Sequence, residues 1–100
     1  MIRPCYTDYV RHAIRFYSRY MNKTCFKSEV DKSNWSACHS VISTYPTQDK
    51  DIILYVYGAF DTLGDNVYAM SQKHKIDQNI IWDMMKEFER KVAIERGLWV

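Results

Sequence analysis

Histidine and cysteine are the side chains in this sequence that most readily hold a metal ion or act as a nucleophile. The 100-residue chain carries three of each. Structural zinc sites usually contribute their ligands as close pairs. No two of the candidate ligands have the spacing of such a pair: His12, Cys25, Cys38, His39 and His74. We therefore expect no metal site, and we interpret Cys38, at an apolar helical position, as a small core residue.

Other catalytic chemistry has no signature in the sequence. The chain lacks a glycine-rich phosphate loop, a nucleophile elbow and a paired-carboxylate motif. This predicts a protein that is not an enzyme and needs no cofactor. An odd number of cysteines excludes a complete set of intrachain disulfides and favours a reducing, cytoplasmic setting. No apolar run reaches the ~18 residues needed to span a membrane, so no membrane partner is expected.

Positive charge is concentrated in the first half of the chain. Residues 1–50 hold eight Lys or Arg and four Asp or Glu, giving +4, whereas residues 51–100 hold six and eight, giving −2. Arg11, Arg15 and Arg19 recur at every fourth position, which aligns them along one side of a helix. This arginine row is suited to an acidic partner such as phosphate, or else forms an ordinary solvated face above packed tyrosines.

Helical periodicity predicts two helices in the first half of the chain, and the first of them carries the arginine row. Apolar side chains at spacings of three and four predict helix 1 over 8–21. Ser28, followed three residues later by Asp31, resembles a capping box and predicts helix 2 over 29–44, which Pro46 ends. With only three glycines and two prolines, the chain has too few turn residues for an all-β sandwich.

Three further helices are predicted in the second half. Thr47 as N-cap predicts helix 3 over 48–60, although its apolar stretch 52–57 could also form a buried strand if a partner strand existed. Gly64 marks a turn, and Asp65 is expected to cap helix 4 over 66–74. Asp77 is expected to cap helix 5 over 78–96, before Gly97 stops it. The whole chain, 1–100, is therefore predicted to be one all-α domain, an orthogonal bundle of about five helices.

Helices 4 and 5 are separated by a tight turn, which is typical of a helix-turn-helix unit, in this chain about 48–96. If helix 5 enters a major groove, its first turns contact base edges. The candidates for base contact are Gln78, Asn79, Trp82, Asp83 and Lys86. The candidates for phosphate contact are Lys73, Lys75 and the arginine row, Arg11, Arg15 and Arg19. Alternatively, Gln78 and Asn79 only occupy an exposed first turn, and Trp82 belongs to the core or to a dimer contact.

From Pro46 to about Ile94 the pattern resembles the fourth conserved region of bacterial sigma factors and the small phage-type regulators built on it. The residues that carry the likeness are Pro46, Asp49, 52–57, Met70, Ile76, Asp77, Ile81 and Met85. Lys75 departs from that family, which often has glycine in the turn. The chain's end, from Ala93 to Leu98, also resembles small proteins of bacterial mobile elements. The resemblance implies a transcriptional regulator that binds double-stranded DNA and works with RNA polymerase.

The charges of helix 5 leave a second interpretation open. Asp83, Glu87 and Glu89 accompany its basic residues, and acidic groups near phosphates weaken binding to DNA. The alternative is a protein-interaction module without catalytic activity, in which helix 78–96 and Trp99 form the surface of a homodimer or bind another partner.

Overall fold

A computed structural model of the chain describes residues 6–20 and 26–98. Within these residues it contains five helices: α1 (Thr7–Arg19), α2 (Glu29–Ile42), α3 (Thr47–Gly58), α4 (Leu63–His74) and α5 (Gln78–Glu95). The predicted all-α architecture is confirmed. The stretch 52–57 is helical, so the alternative of a buried strand is wrong.

One core joins all five helices. α1 packs against α2, α3 and α5, while α4 packs against α3 and α5, and α5 also contacts α2. The helical spacing in the sequence identified the inward faces, because most apolar residues at those positions are buried, while Trp35, Tyr45 and Met84 are half-buried against the core. The largest fully buried side chains include Tyr17, Tyr57, Phe88, Ile14, Ile52 and Ile81. This shared core fixes the direction in which α5 presents its opposite face.

The predicted start of α2 and end of α5 are confirmed by their capping geometry. The Ser28 hydroxyl accepts a hydrogen bond from the Asp31 backbone N–H at 3.2 Å and begins α2. At the end of α5, Gly97 has φ +71°, and its N–H donates to the carbonyl of Ile94. The next N–H, of Leu98, donates to Ala93, which completes a Schellman motif.

Two predicted caps are wrong. Pro46 occupies the N-cap of α3 and makes no side-chain cap bond, whereas Thr47 is already helical. Thr62, not Asp65, caps α4: its hydroxyl accepts from the Asp65 N–H at 3.1 Å, so α4 begins three residues earlier than predicted. Thr62 and Asp65 have the spacing of a capping box. The predicted turn at Gly64 is also wrong, because Gly64 lies in the first turn of α4.

Asn66 holds the connection between α3 and α4. Its side chain is buried, and its amide nitrogen donates to the carbonyls of Val56 at 2.9 Å, Asp61 at 3.3 Å and Ala59 at 3.4 Å. These contacts satisfy backbone acceptors at and beyond the end of α3, which have no helical donor. They tie the end of α3 to the first turn of α4, and α4 in turn packs against α5.

Candidate nucleic-acid interface

The connection between α4 and α5 is three residues long, 75–77, and is held by Ser71. Lys75 adopts the left-handed conformation, φ 57° and ψ 48°, and its N–H donates to the Ser71 carbonyl. The N–H of Ile76 donates to the same carbonyl at 3.1 Å, and the Ser71 hydroxyl donates to the Ile76 carbonyl. The turn therefore has one well-defined path, although it contains a lysine where glycine would be easier.

The first turn of α5 is fixed by Asp77, as predicted. The Asp77 carboxylate accepts from the Asn79 N–H at 2.7 Å, and the Asp77 carbonyl accepts from Ile80 at 3.1 Å. Ile81, one residue further, is fully buried and anchors this turn to the core. Side chains on the other side of the turn consequently project from a rigid support.

Most of the predicted base-contact residues lie on the outer face of α5. Asn79, Asp83 and Lys86 are exposed and follow one another at spacings of four and three, which places them in one row. This row, the α5 row, lies opposite the buried residues Ile81, Met85, Glu89, Phe88 and Val92. Gln78 is exposed beside the row at the helix start, whereas Trp82 is half-buried and packs against the core.

Ile80 was not predicted from the sequence as a site residue, yet it lies beside the α5 row. Its side chain is 56% exposed in the first turn of α5. The sequence signal was the doublet Ile80-Ile81, in which only one residue can occupy the buried face of a helix.

The arginine row is a mixed surface. Arg15 is exposed, but Arg11 is half-buried, and its Nε donates to Glu89 Oε2 at 2.9 Å. Arg19 donates from Nε to the Gly58 carbonyl at the end of α3, at 3.0 Å. Its guanidinium lies 4.1 Å from the centre of the Phe60 ring. Two of the three arginines predicted to contact phosphate thus have intramolecular partners, whereas the other two predicted residues, Lys73 and Lys75, are exposed at the end of α4 and in the turn.

The buried carboxylate of Glu89 changes the charge balance of α5. Glu89 is 4% exposed, and its Oε2 accepts from both Arg11 and the Tyr57 hydroxyl. Burial, followed by the charge of Glu89, holds the pKa of Tyr57 well above its usual value. Glu87 forms an ion pair with Lys91 at 3.2 Å. The sequence predicted that Asp83, Glu87 and Glu89 would weaken binding to DNA, but Glu89 is buried and does not reach the surface.

The described residues contain no group of three or more His, Cys, Asp or Glu that could hold a metal ion. Cys38 is fully buried in the apolar core, as predicted, and burial raises the pKa of its thiol to about 12. The thiol is accordingly protonated at neutral pH, which makes it a poor nucleophile. Across residues 6–20 and 26–98, no helix has the length and apolarity needed to cross a membrane.

Comparison of the chain with protein-family models, with curated proteins and with solved structures gives no match.

Proposed function

We propose that this protein is a helix-turn-helix regulator of transcription that binds double-stranded DNA. The observation that carries the proposal is the α5 row, Asn79, Asp83 and Lys86, exposed at the start of a long helix that follows a three-residue turn. A helix of this kind fits the major groove, where its first turns face the bases. The protein would act in the cytoplasm of a bacterium or for a phage-like element.

The side chains of the α5 row match groups on base edges. The amide of Asn79 can pair with adenine through two hydrogen bonds, and the carboxylate of Asp83 can accept from the amino group of cytosine. Lys86 can donate to the acceptors of guanine. Gln78 and Trp82 flank the row, Gln78 as a second amide near the bases and Trp82 as a packing residue.

Charge near the turn supports the same proposal. Lys73 and Lys75 are exposed at the end of α4, where they could bind phosphates on one side of the groove. Arg15 adds an exposed cation on α1, and the burial of Glu89 lowers the negative charge that α5 presents. RNA polymerase is a further proposed partner, and no cofactor is needed for binding of this kind.

The test is binding of the full chain to mixed-sequence duplex DNA at two salt concentrations, measured by fluorescence anisotropy. We expect binding that weakens as salt rises, because bound lysines and arginines release counterions. Lys73→Ala should reduce the salt dependence by about one ion. The matched control is Lys32→Ala, which removes an exposed lysine on α2 and should leave the salt dependence unchanged. An absence of binding at low salt, or equal effects of the two variants, would contradict the proposal.

Homodimerisation is the second candidate function, and two apolar side chains on α5 favour it. Ile80 is 56% and Ile94 47% exposed, and a separation of 14 residues brings both to the outer face of the helix. Trp99, the other residue assigned to this surface, lies outside the described residues. The solution mass with and without Ile94→Glu separates the two candidates. A dimer that dissociates in the variant, from a protein that does not bind DNA, would favour the interaction module.

A further inference from the structure

Ile80 is a large apolar side chain that the fold leaves in water beside hydrogen-bonding groups suited to base edges. It is 56% exposed and is the neighbour of Asn79, with Asp83 one turn further on. The Ile80 side chain is not part of the hydrophobic core cluster, whereas its backbone N–H donates to the Asp77 carbonyl at 3.1 Å and is fixed. An exposed β-branched side chain on a rigid turn loses little conformational freedom when it is covered.

We propose that Ile80 contacts the 5-methyl group of a thymine in the major groove, so that the protein prefers DNA with thymine at one defined position. The inference rests on the proposed binding of duplex DNA. Thymine is the base whose major-groove edge carries a methyl group, and apolar side chains recognise it by contact. The amide, carboxylate and ammonium groups of the α5 row do not provide such a contact.

The neighbouring side chain indicates the composition of the site. Asn79 offers the amide that pairs with adenine, and Ile80 offers the apolar surface that suits thymine. Because the two residues are adjacent on the first turn of α5, both would meet A·T base pairs at the same part of the groove. The structure thus points to a binding site with A·T pairs where the start of α5 enters the groove.

The chain provides a control of the same residue type. Ile94 is 47% exposed on α5, but it lies 14 residues further on, roughly 21 Å along the helix axis. At that distance a helix that enters the groove by its first turns does not bring Ile94 to the bases. Ile80→Ala and Ile94→Ala therefore remove similar apolar groups from different ends of one helix.

The experiment first selects the duplex that the full chain binds most tightly from a random-sequence pool. It then measures the affinity for that duplex and for copies in which one thymine at a time is replaced by uracil. Uracil lacks the methyl group and keeps the hydrogen-bonding edge of thymine. We expect one position at which uracil weakens binding of the wild type about three- to fivefold, the effect of one buried methyl group. Ile80→Ala should bind the two duplexes equally, whereas Ile94→Ala should keep the full difference.

The outcomes separate this inference from the proposed function. If the protein binds DNA but no uracil substitution weakens binding, or if Ile80→Ala still distinguishes the two duplexes, the thymine contact is refuted while DNA binding stands. If the protein binds no duplex DNA, the proposed function fails and the inference with it. The wild-type measurement requires no variant to fold, and Ile80→Val serves as a second variant that should keep part of the difference.

Discussion

The guanidinium of Arg11 donates to the carboxylate of Glu89 at 2.9 Å and joins α1 to α5. Both residues look like surface charges in the sequence, one in a basic row and the other in an acidic helix. Because they pair with each other, the surface of the arginine row has one fewer unpaired cation and the surface of α5 has one fewer anion. The pair is a structural element of the core, and Tyr57 completes it from α3.

Replacement of Glu89 should destabilise the fold strongly. Glu89→Ala leaves the Tyr57 hydroxyl and the Arg11 guanidinium, whose side chain is 26% exposed, without their acceptor. We expect the free energy of unfolding to fall by about 3 kcal/mol, as for other broken buried ion pairs. Urea denaturation measures the change. Glu87→Ala, which removes a surface acid two residues earlier, should cost at most about 1 kcal/mol; similar losses for both variants would mean that Glu89 is not a core residue.

Lys75→Gly should stabilise the protein. It should also weaken binding to DNA, because it removes one of the proposed phosphate contacts. Lys75 has φ 57°, a conformation that glycine adopts without the steric cost of a Cβ atom. We expect a gain of about 0.5 to 1 kcal/mol in the free energy of unfolding. Lys73→Gly, two residues earlier inside α4, should instead lose a similar amount. A loss of stability in Lys75→Gly would show that the left-handed turn is not formed.

Alkaline pH should destabilise the protein through Cys38. Burial raises the pKa of its thiol from an ordinary 9.0 to about 12. The unfolded chain therefore loses this proton first, and the stabilisation, complete below pH 9, declines as the pH rises towards 12. Cys38→Ala should have lower stability at pH 8, because it leaves a cavity, but a shallower decline above pH 9. Denaturation curves from pH 8 to pH 11 test this, and parallel declines in the two proteins would contradict it.

Loss of the Asp77 cap should lower both the free energy of unfolding and the affinity for DNA. Asp77→Ala removes the acceptor of the Asn79 N–H, and we expect a loss of about 1 kcal/mol in the free energy of unfolding. Fraying of this turn also releases Asn79 and Ile80, so the affinity for DNA should fall, whereas the control Lys32→Ala should leave it unchanged. Asp77→Ser keeps a capping oxygen and should restore most of both quantities. Failure of serine to rescue either quantity would indicate another role for the carboxylate.

Local rules predicted much of the fold from the sequence. The caps at Ser28 and Asp77 and the stop at Gly97 depend on residues within a few positions, and the sequence shows all of them. The predicted start of α4 is wrong because Thr62 and Asp65 are both good N-cap residues and the sequence alone does not choose between them. In the structure Thr62 is the cap, because its hydroxyl accepts from the Asp65 N–H at 3.1 Å and its carbonyl accepts from the Asn66 N–H at 2.9 Å.

The candidate site was less predictable, because its surface depends on contacts far apart in the chain. Helical spacing gave the row of Asn79, Asp83 and Lys86, which the fold exposes. The same spacing could not show that Glu89 faces inward, since its partners Tyr57 and Arg11 lie 32 and 78 residues away. The exposure of Ile80 was predictable, because helical spacing places Ile81 on the buried face and leaves its neighbour outside.

The separation of Arg11 and Glu89 also sets an order of events during synthesis. The ribosome makes α1 first, but the acceptor for Arg11 follows 78 residues later. At about 5 to 20 residues per second, that interval lasts roughly 4 to 16 s. Throughout it α1 can pack against α2 and α3, which precede α5, but Arg11 lacks the carboxylate that accepts its hydrogen bond in the folded protein. The contacts between α1 and α5 therefore form only after the ribosome has made α5.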